Sequence, residues 1–427
     1  MKRKKAQFTA ALRISLPALS VIGVMASVCT AADWPQFRGP NRDGKSSETG
    51  LLKKWPEGGP KLLWSVNGLG AGYSSAAIAE SLVYTTGKHG ADGYVFCFDL
   101  DGKRQWKAAF GPEWNKSYPA ARSTPTVNNG RLYLLSGLGT VYCFDAKTAA
   151  LVWSRDVFKE FDGQFPRWGI SECLLVDGSK VIATPGGKKA SVVALDKNDG
   201  DVIWACKDLN QGSAYCNPVA IEYRGNRMIV TMLPDSVVAI DSETGKLLWQ
   251  DPFDDYHTDR SRVVNANTPL YFDGRIYTTS GYDNGGAMVQ LSADPTMITR
   301  EWTDRTLDVH HGGVVLVDGY IYGANFQSMT RGNWASLDWD TGELMYDSSW
   351  QGNKGSTIYA DGMLYCYAED TGDVGLAKAT PDGFNVVSSF RITAGEGKHW
   401  AHPSIADGRL YIRHGDVMMV YDISAGK

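Results

Sequence analysis

Several signatures of common catalytic and metal-binding proteins are missing from this chain of 427 residues. It contains no CxxC pair for a metal ion or a redox disulfide, and no CxxCH attachment site for haem. It also contains no GxSxG motif, the usual sequence signature of a hydrolase nucleophile. After Val28, no apolar run is long enough to span a bilayer, so we expect no transmembrane segment. The function must therefore be inferred from other patterns.

An excess of positive charge is missing as well. The chain has 43 Lys and Arg against 47 Asp and Glu residues, a formal net charge of −4. Residues 1–32 hold five of the basic residues and no acidic one, so the remainder carries a formal charge of −9. Because an acidic chain is a poor match for a polyanion, we expect no nucleic-acid partner.

The first residues have the pattern of a targeting signal. A basic stretch, Lys2–Lys5, precedes the apolar run Ile14–Val28, and small residues follow at 30–32. We predict a signal peptide over residues 1–32 and export to the periplasm or the extracellular medium. The sequence does not distinguish between these two destinations.

Cysteine is scarce after the predicted signal. Cys97 and Cys143 occupy positions held by small residues in other copies of the repeat described below, which predicts buried strand residues rather than a disulfide. Cys206 and Cys216 lie close together in the sequence, and export permits disulfides, so their pairing is left open.

A repeated unit organises the rest of the chain. Its clearest copy is Ala239–Trp249, AIDSETGKLLW, in which an apolar run reaches an Asp and a Gly turn and then continues to Trp. This pattern predicts a β-hairpin whose Asp accepts backbone N–H bonds and whose Gly adopts a positive φ. Further copies are Cys97–Trp106, Cys143–Trp153, Ala194–Trp204 and Ser336–Tyr346.

The repeats predict the fold class and the domain organisation. Units close on an aromatic residue at intervals of about 40–50 residues, a period typical of four-stranded β-propeller blades. The closing aromatics are Trp64, Trp106, Trp153, Trp204, Trp249, Trp302, Tyr346 and Phe390. We predict an all-β, eight-bladed propeller over residues 60–427, with seven blades as the alternative, because Ser292 and Lys378 replace the turn Asp in two units. The last unit lacks its final strand, so the strand at Lys61–Trp64 is expected to complete it and to close the ring.

The Ala-x-Asp-x-x-Thr-Gly-x-x-x-Trp line resembles the tryptophan-docking motif of eight-bladed propellers of the pyrroloquinoline quinone (PQQ) type, over about residues 60–427. That family includes quinoprotein alcohol dehydrogenases and the propeller lipoprotein of the bacterial outer-membrane assembly machinery. Trp34–Gly44, WPQFRGPNRDG, is similar to the start of exported propellers that carry the name polyvinyl-alcohol dehydrogenase-like. We expect residues 33–59 to form an N-terminal extension, in which Asp33–Gly44 is ordered on the surface. The resemblance implies the fold and leaves the function to the site.

Candidate site residues lie in the links that precede the first strand of each blade. In a propeller these links meet at one mouth of the central channel, and here they are polar, aromatic and rich in histidine. The residues expected at this mouth are Arg122, Arg167, Trp168, Asn217, Asn267, His310, His311, Lys354, His399, Trp400 and His402. The tryptophans would provide stacking surfaces, and Arg122, Arg167 and Lys354 would contact anions.

Neither histidine pair has the spacing of a recognised metal site. His310 and His311 point apart in an extended chain, and His399 and His402 lie between a loop and a strand. We therefore predict no metal site from the histidines.

The resemblance also implies what a PQQ enzyme would require. Bound PQQ needs aromatic faces, a Ca²⁺ ion held by oxygen ligands, and a carboxylate base. Glu172, Asn217 and Asp308 are the candidate oxygen ligands, with Glu172 or Asp308 as the base. The adjacent Cys-Cys pair that PQQ alcohol dehydrogenases stack on the cofactor is absent, so PQQ with Ca²⁺ is a possibility rather than an expectation.

These observations favour a monomeric, exported, non-catalytic scaffold that binds a protein, peptide or small ligand at its mouth. One alternative is a PQQ-dependent alcohol oxidoreductase similar to polyvinyl-alcohol dehydrogenase. A second alternative, suggested by the aromatic and polar mouth, is a propeller that binds or processes saccharides.

Overall fold

The computed structural model describes residues 33–253, 256–258 and 264–426. The predicted signal peptide, residues 1–32, lies outside the described residues. Within them the chain forms 33 strands and one short helix, α1 (Val157–Glu160). Two strands come first, β1 (Lys45–Ser46) and β2 (Lys61–Val66). No helix of the described part is long and apolar enough to cross a membrane.

Eight four-stranded antiparallel sheets form the blades. Blade 1 consists of β3 (Ala77–Ala79), β4 (Leu82–His89), β5 (Asp92–Asp99) and β6 (Arg104–Pro112), and blade 2 of β7 (Thr126–Asn128), β8 (Arg131–Leu135), β9 (Thr140–Asp145) and β10 (Leu151–Asp156). Blade 3 consists of β11 (Leu175–Asp177), β12 (Lys180–Ala183), β13 (Val192–Asp196) and β14 (Val202–Cys206), and blade 4 of β15 (Val219–Tyr223), β16 (Asn226–Met232), β17 (Ser236–Asp241) and β18 (Leu247–Pro252). Blade 5 consists of β19 (Leu270–Phe272), β20 (Arg275–Ser280), β21 (Gly285–Leu291) and β22 (Ile298–Asp304), and blade 6 of β23 (Val314–Val317), β24 (Tyr320–Ala324), β25 (Trp334–Asp338) and β26 (Leu344–Ser348). Blade 7 consists of β27 (Gly355–Ala360), β28 (Met363–Ala368), β29 (Asp373–Lys378) and β30 (Val386–Arg391). Blade 8 consists of β31 (Ser404–Ala406), β32 (Arg409–His414) and β33 (Val417–Asp422), with β2 as its fourth strand.

The ring closes as the repeats predict. Strand β2 pairs antiparallel with β33, with Lys61 opposite Asp422 and Val66 opposite Met418. Both units that lack the turn Asp form complete blades, so the count of eight is confirmed and the alternative of seven is wrong. This closure leaves no open edge between the first and last blades.

The hydrophobic core lies between neighbouring blades. One buried cluster joins Ala77 and Phe110 of blade 1 to Leu132 and Phe144 of blade 2, and further clusters join later blades. The outermost strands alternate, as in β22, where exposed and covered side chains succeed one another. Inner strands are covered on both faces, because neighbouring blades and the channel contents enclose them.

The repeated hairpin behaves as its sequence predicts. The Asp241 carboxylate accepts hydrogen bonds from Glu243 N (3.1 Å), Thr244 N (2.7 Å) and Thr244 Oγ1 (2.7 Å). Gly245 has φ +72°, and a Cβ there would lie 2.7 Å from the ring of Trp204 in the preceding blade. Trp204 Nε1 donates to Ser242 O at 2.8 Å, so this unit both turns its own chain and holds the preceding blade.

Replacing Asp241 by alanine is expected to lower the free energy of unfolding by about 1–2 kcal/mol, because three hydrogen bonds to one turn carboxylate are lost. Denaturant unfolding of the two proteins measures the change. Lys246→Ala, an exposed substitution in the same turn, should change it by less than about 0.5 kcal/mol. Equal losses in both variants would show that the carboxylate is not the stabilising group.

The first part of the extension fills the central channel. Residues 33–46, here called the channel plug, pass between the inner strands: Trp34 N donates to Ile78 O (2.9 Å) and Val127 N donates to Pro35 O (2.8 Å). Strand β1 then pairs in parallel with β27. Trp34 is 1% exposed, so the prediction that this segment lies on the surface is wrong.

Two buried arginines connect the channel plug to four blades. Arg42 Nη1 donates to Cys173 O (2.9 Å) before blade 3 and to Pro218 O (3.1 Å) before blade 4. Arg38 donates to Thr357 O (3.3 Å) of blade 7 and to Val314 O of blade 6. The plug is therefore fixed by backbone carbonyls that the inner strands leave unpaired.

All six cysteines of the described residues are buried, free thiols. Cys97 and Cys143 lie in β5 and β9 with no exposed surface, as their positions in the repeat predict. Cys206 and Cys216 are not paired with each other.

Candidate functional site

The antiparallel order of the strands decides which loops surround the mouth. The links before the first strands open at one end of the channel, and the turns between second and third strands return to the same end. A cavity of about 210 Å³ lies there. The described residues of its lining are Phe37, Tyr73, Tyr118, Arg122, Trp168, Gly169, Ser171, Cys173, Tyr215, Asn217, Val264, Ala266, Tyr282, His310, His311, Met329, Trp400 and His402.

Aromatic side chains form most of the cavity wall. The ring of Trp400 lies 4.9 Å from that of Tyr73, 5.0 Å from that of Tyr118 and 5.3 Å from that of His311, measured between centroids. On the other side, the rings of Trp168 and Tyr215 are 5.9 Å apart. The tryptophans contact other rings at tilted or edge-on angles, so the wall is a packed aromatic surface.

Two wall tyrosines have a left-handed backbone conformation. The φ angle is +49° at Tyr118 and +66° at Tyr282. Such a conformation costs a side-chain-bearing residue on the order of 1–3 kcal/mol and is retained where surrounding bonds enforce it. Around Tyr282 the Asp308 carboxylate does so, accepting from Asp283 N (2.7 Å) and Gly285 N (3.0 Å).

The floor of the cavity belongs to the channel plug. Phe37 reaches the cavity, and its ring packs against that of His402 at 4.8 Å. His402 Nε2 lies 2.8 Å from His311 O, and burial lowers the pKa of His402 to about 3, so its ring is neutral. Among the described residues, Phe37 thus closes the floor of the pocket.

Arg122 and Arg167 do not act as the free anion contacts that their positions predict. Arg122 donates to Ser117 O (3.0 Å), Tyr118 O (2.7 Å) and Trp168 O. Its guanidinium therefore connects two mouth loops. Arg167 lies over the Trp168 ring at 5.2 Å and does not belong to the lining among the described residues.

A second polar group lies beside the cavity. The rings of His310 and His311 are 4.4 Å apart, which corrects the expectation that they point apart. His311 Nε2 lies 3.3 Å from Glu369 Oε2, and Lys354 Nζ pairs with Glu369 Oε1. Lys354 also donates to Met329 O (2.8 Å), so it is a buried partner of Glu369 rather than an anion contact in the cavity.

Two further predicted contacts lie away from the cavity. His399 Nδ1 lies 2.6 Å from the Tyr367 hydroxyl, and its ring stacks on that of His414 at 3.6 Å. Asn267 donates to Thr279 O (3.0 Å) and Val309 O (2.6 Å). Both side chains are fully engaged in fixing loops.

The candidate oxygen ligands do not form a calcium cage for PQQ. Asn217 Oδ1 accepts from Cys173 N (2.6 Å), Asn267 Oδ1 accepts from Gly313 N (3.1 Å), and both Asp308 oxygens accept from backbone amides. Glu172 Oε2 accepts from Thr184 N (3.1 Å), and Glu172 does not belong to the described lining of the cavity. The residues present therefore do not fit the group, and no reaction step is derived through it.

The same facts bear on the candidate bases. Glu172 is buried and does not belong to the described lining of the cavity. Burial raises the pKa of Asp308 to about 7, yet both its oxygens are held by the Tyr282 turn. Neither carboxyl is free to approach a substrate in the cavity.

Sequence reasoning considered the links and overlooked the other loops at the same mouth. Tyr282, Met329 and Glu369 belong to turns between second and third strands. Strand alternation alone places these turns beside the links, so the signal was available in the order of the strands. Phe37 had no such signal, because nothing in its sequence shows that the plug enters the channel.

Comparison with protein families gives a match over residues 91–345, more than half of the chain, to the family described as outer membrane protein assembly factor BamB. The assembly factor BamB of Moranella endobia is 25% identical over an alignment of 283 residues, which covers 61% of this chain and 67% of that protein. The quinoprotein ethanol dehydrogenase of Pseudomonas aeruginosa is 28% identical over 167 residues, 36% of this chain. The matched part is only 26% of that dehydrogenase.

Solved structures show the same architecture. BamB from Moraxella catarrhalis superposes with a TM-score of 0.62 at 15% identity, covering 85% of this chain and 99% of that one. Quinohemoprotein alcohol dehydrogenase from Comamonas testosteroni gives 0.67 at 13% identity, covering 93% and 81%. At these identities the likeness supports the fold alone.

Proposed function

Because the chain belongs to the family of outer membrane protein assembly factor BamB, we propose that it is an exported, non-catalytic scaffold that binds a segment of a partner protein at its mouth. Family membership supports a protein partner. The basic and apolar pattern of residues 1–32 supports a signal peptide and export. In this proposal the propeller acts as a monomer in the periplasm or outside the cell.

The aromatic pocket carries the proposal. Its volume of about 210 Å³ is below the range of roughly 300–1,000 Å³ typical of small-molecule sites. Tyrosine and tryptophan are the residues enriched at the centres of protein interfaces, where an anchoring side chain enters a pocket. Tyr73, Tyr118, Trp168 and Trp400 offer such a surface.

The engagement of the polar groups supports a binding rather than a catalytic role. The guanidinium of Arg122 and the carboxylate of Asp308 already bond to backbone groups of the mouth loops. Aromatic groups remain as the main surface that a ligand can contact. The expected occupant is therefore an apolar or aromatic side chain presented by an extended peptide.

The test uses the chain from residue 33 onward and a displayed library of short peptides. Selected peptides are titrated while tryptophan fluorescence is followed, because Trp168 and Trp400 line the pocket. Tyr118→Ala is expected to weaken binding by about tenfold or more, the effect of a central aromatic contact. Phe272→Ala is the matched control, since Phe272 is 58% exposed at the end of β19, beside the turn to β20 at the opposite face.

The alternatives are outcomes of the same experiment. The similarity to quinoprotein ethanol dehydrogenase requires a parallel titration with PQQ and Ca²⁺ and a dye-linked alcohol oxidation assay. Saturable PQQ binding with turnover would overturn the scaffold proposal. Binding of oligosaccharides that depends on Tyr118, without binding of peptides, would favour a saccharide-binding propeller instead.

A further inference from the structure

The loops beside the pocket bring together three side chains that suit a metal ion. We propose that His310, His311 and Glu369 bind one divalent transition-metal ion, such as Zn²⁺, at the wall of the mouth cavity. This inference goes beyond the scaffold proposal, because it does not depend on which ligand enters the cavity.

The spacing of the three groups fits a single ion. One ligand atom from each residue lies within 4.8 Å of the others. His311 Nε2 and Glu369 Oε2 are 3.3 Å apart. Two ligands of a tetrahedral zinc ion, each about 2.0–2.1 Å from the metal, lie roughly 3.3 Å apart. The observed pair therefore already has the separation of two neighbouring ligands.

The histidine nitrogens are available as ligands. Among the described residues, His310 Nδ1 and His311 Nε2 are buried and have no hydrogen-bond partner. The contact between His311 and Glu369 is thus close without being aligned as a hydrogen bond. A metal ion binds imidazole through the lone pair of such an unpaired ring nitrogen.

The surrounding backbone holds the pair in this arrangement. A Cβ at Gly281 would lie 2.8 Å from His310 Cα, and a Cβ at Gly312 would lie 2.0 Å from Gly355 O. The link that carries the histidines is therefore packed directly against the neighbouring blades. Two adjacent histidines can face one site here because the tight packing bends the chain away from the extended form.

Lys354 sets the expected strength of the site. It pairs with Glu369 Oε1 and leaves Oε2 directed toward His311. Its ammonium group also competes with the metal for the same carboxylate, and the two cations repel each other. We therefore expect moderate affinity in the native chain, and tighter binding when the ammonium is removed.

The donor set decides the class of metal. Two imidazoles and one carboxylate suit zinc and related transition metals, whereas calcium and magnesium prefer sites made of oxygen ligands. Three protein ligands leave a fourth position unfilled. Because His310 and His311 line the cavity, water or a donor atom of a bound segment can fill that position.

The test uses the chain from residue 33 onward after treatment with a chelator. Zn²⁺ is titrated by calorimetry, and Co²⁺ is titrated while the visible absorption of a four-coordinate site is followed. We expect one ion per chain. His310→Gln and Glu369→Gln should each weaken Zn²⁺ binding by at least about 100-fold. Loss of a residue that bonds to a ligand without touching the metal weakens binding less than this.

Two further variants keep the test decisive. Lys354→Met should tighten Zn²⁺ binding by about tenfold or more, an outcome that a merely structural cluster would not give. His89→Gln, in β4 away from the cluster, should leave the affinity unchanged. Glu369→Gln leaves Lys354 unpaired, so if it does not fold, His310→Gln carries the test. The proposal is overturned if none of Zn²⁺, Co²⁺ and Ni²⁺ binds saturably, if affinity is unchanged in His310→Gln, or if Ca²⁺ binds in preference.

Discussion

Arg42→Ala is expected to lower the free energy of unfolding by about 3–5 kcal/mol, because it leaves buried carbonyls unpaired and opens a void in the channel. Arg42 is 2% exposed, and its guanidinium donates to the carbonyls of Cys173, Leu174 and Pro218. Burial lowers its pKa to about 10, so it still carries its charge at neutral pH. Thermal and denaturant unfolding of the purified variant measure the loss.

Two variants show whether the loss of stability comes from the three hydrogen bonds that the Arg42 guanidinium donates. Arg42→Lys keeps the charge but cannot reach three carbonyls from one planar group, so it should recover only part of the stability. Arg104→Ala removes an exposed arginine from β6 and should change the free energy by less than about 0.5 kcal/mol. A variant Arg42→Ala as stable as Arg104→Ala would mean that the plug does not hold the inner strands.

Stability is expected to fall as the pH rises from 6.5 to 8, by about 2 kcal/mol from Glu172 alone. Thr184 N donates to Glu172 Oε2 at 3.1 Å, and burial raises the pKa of this carboxyl from 4.5 to about 8. Between these values the unfolded chain loses the proton while the folded chain retains it. The folded state therefore binds more protons, and each pH unit costs about 1.4 kcal/mol.

The pH window is chosen to exclude the histidines. Burial lowers the pKa of His399 to about 4 and that of His402 to about 3, and these groups affect stability only below their unfolded value of 6.5. Glu113 and Asp308, whose pKa values burial raises to about 7, act in the same direction as Glu172. Glu172→Gln should flatten the slope above pH 6.5, and the exposed substitution Glu343→Gln should not. An unchanged slope in Glu172→Gln would assign the effect to another group.

The blades could be predicted from the sequence because each blade is formed mainly by residues that are close together in the sequence. The hairpin at Ala239–Trp249 contains its own turn signals, and its closing Trp marks the period. Even the shared last blade was predictable, since the missing strand is present at Lys61–Val66. Irregular turns at Ser292 and Lys378 did not prevent blade formation, because pairing with neighbouring strands outweighs one turn residue.

The channel plug was not predictable in the same way. Arg38 and Arg42 look like surface residues, and their burial depends on carbonyls from blades that are distant in the sequence. The site shares this limit. The links before the first strands predicted that Trp168, Trp400 and the adjacent histidines lie at the mouth. Glu369 joins these residues only through contacts between blades 6 and 7, which the sequence does not show.

The direction of the channel plug also decides which face of the propeller points toward a tether or surface joined to the chain. Glu80 N lies 3.5 Å from Asp33 Oδ2, and Glu48 accepts from Gly408 N at 2.8 Å, so the plug enters and leaves by the turns between first and second strands. Ala425 N donates to Gly50 O at that same end. Both ends of the described chain therefore emerge on the side away from the aromatic pocket. A tether, a tag or a surface joined to either end leaves the pocket facing outward, accessible to whatever approaches from solution.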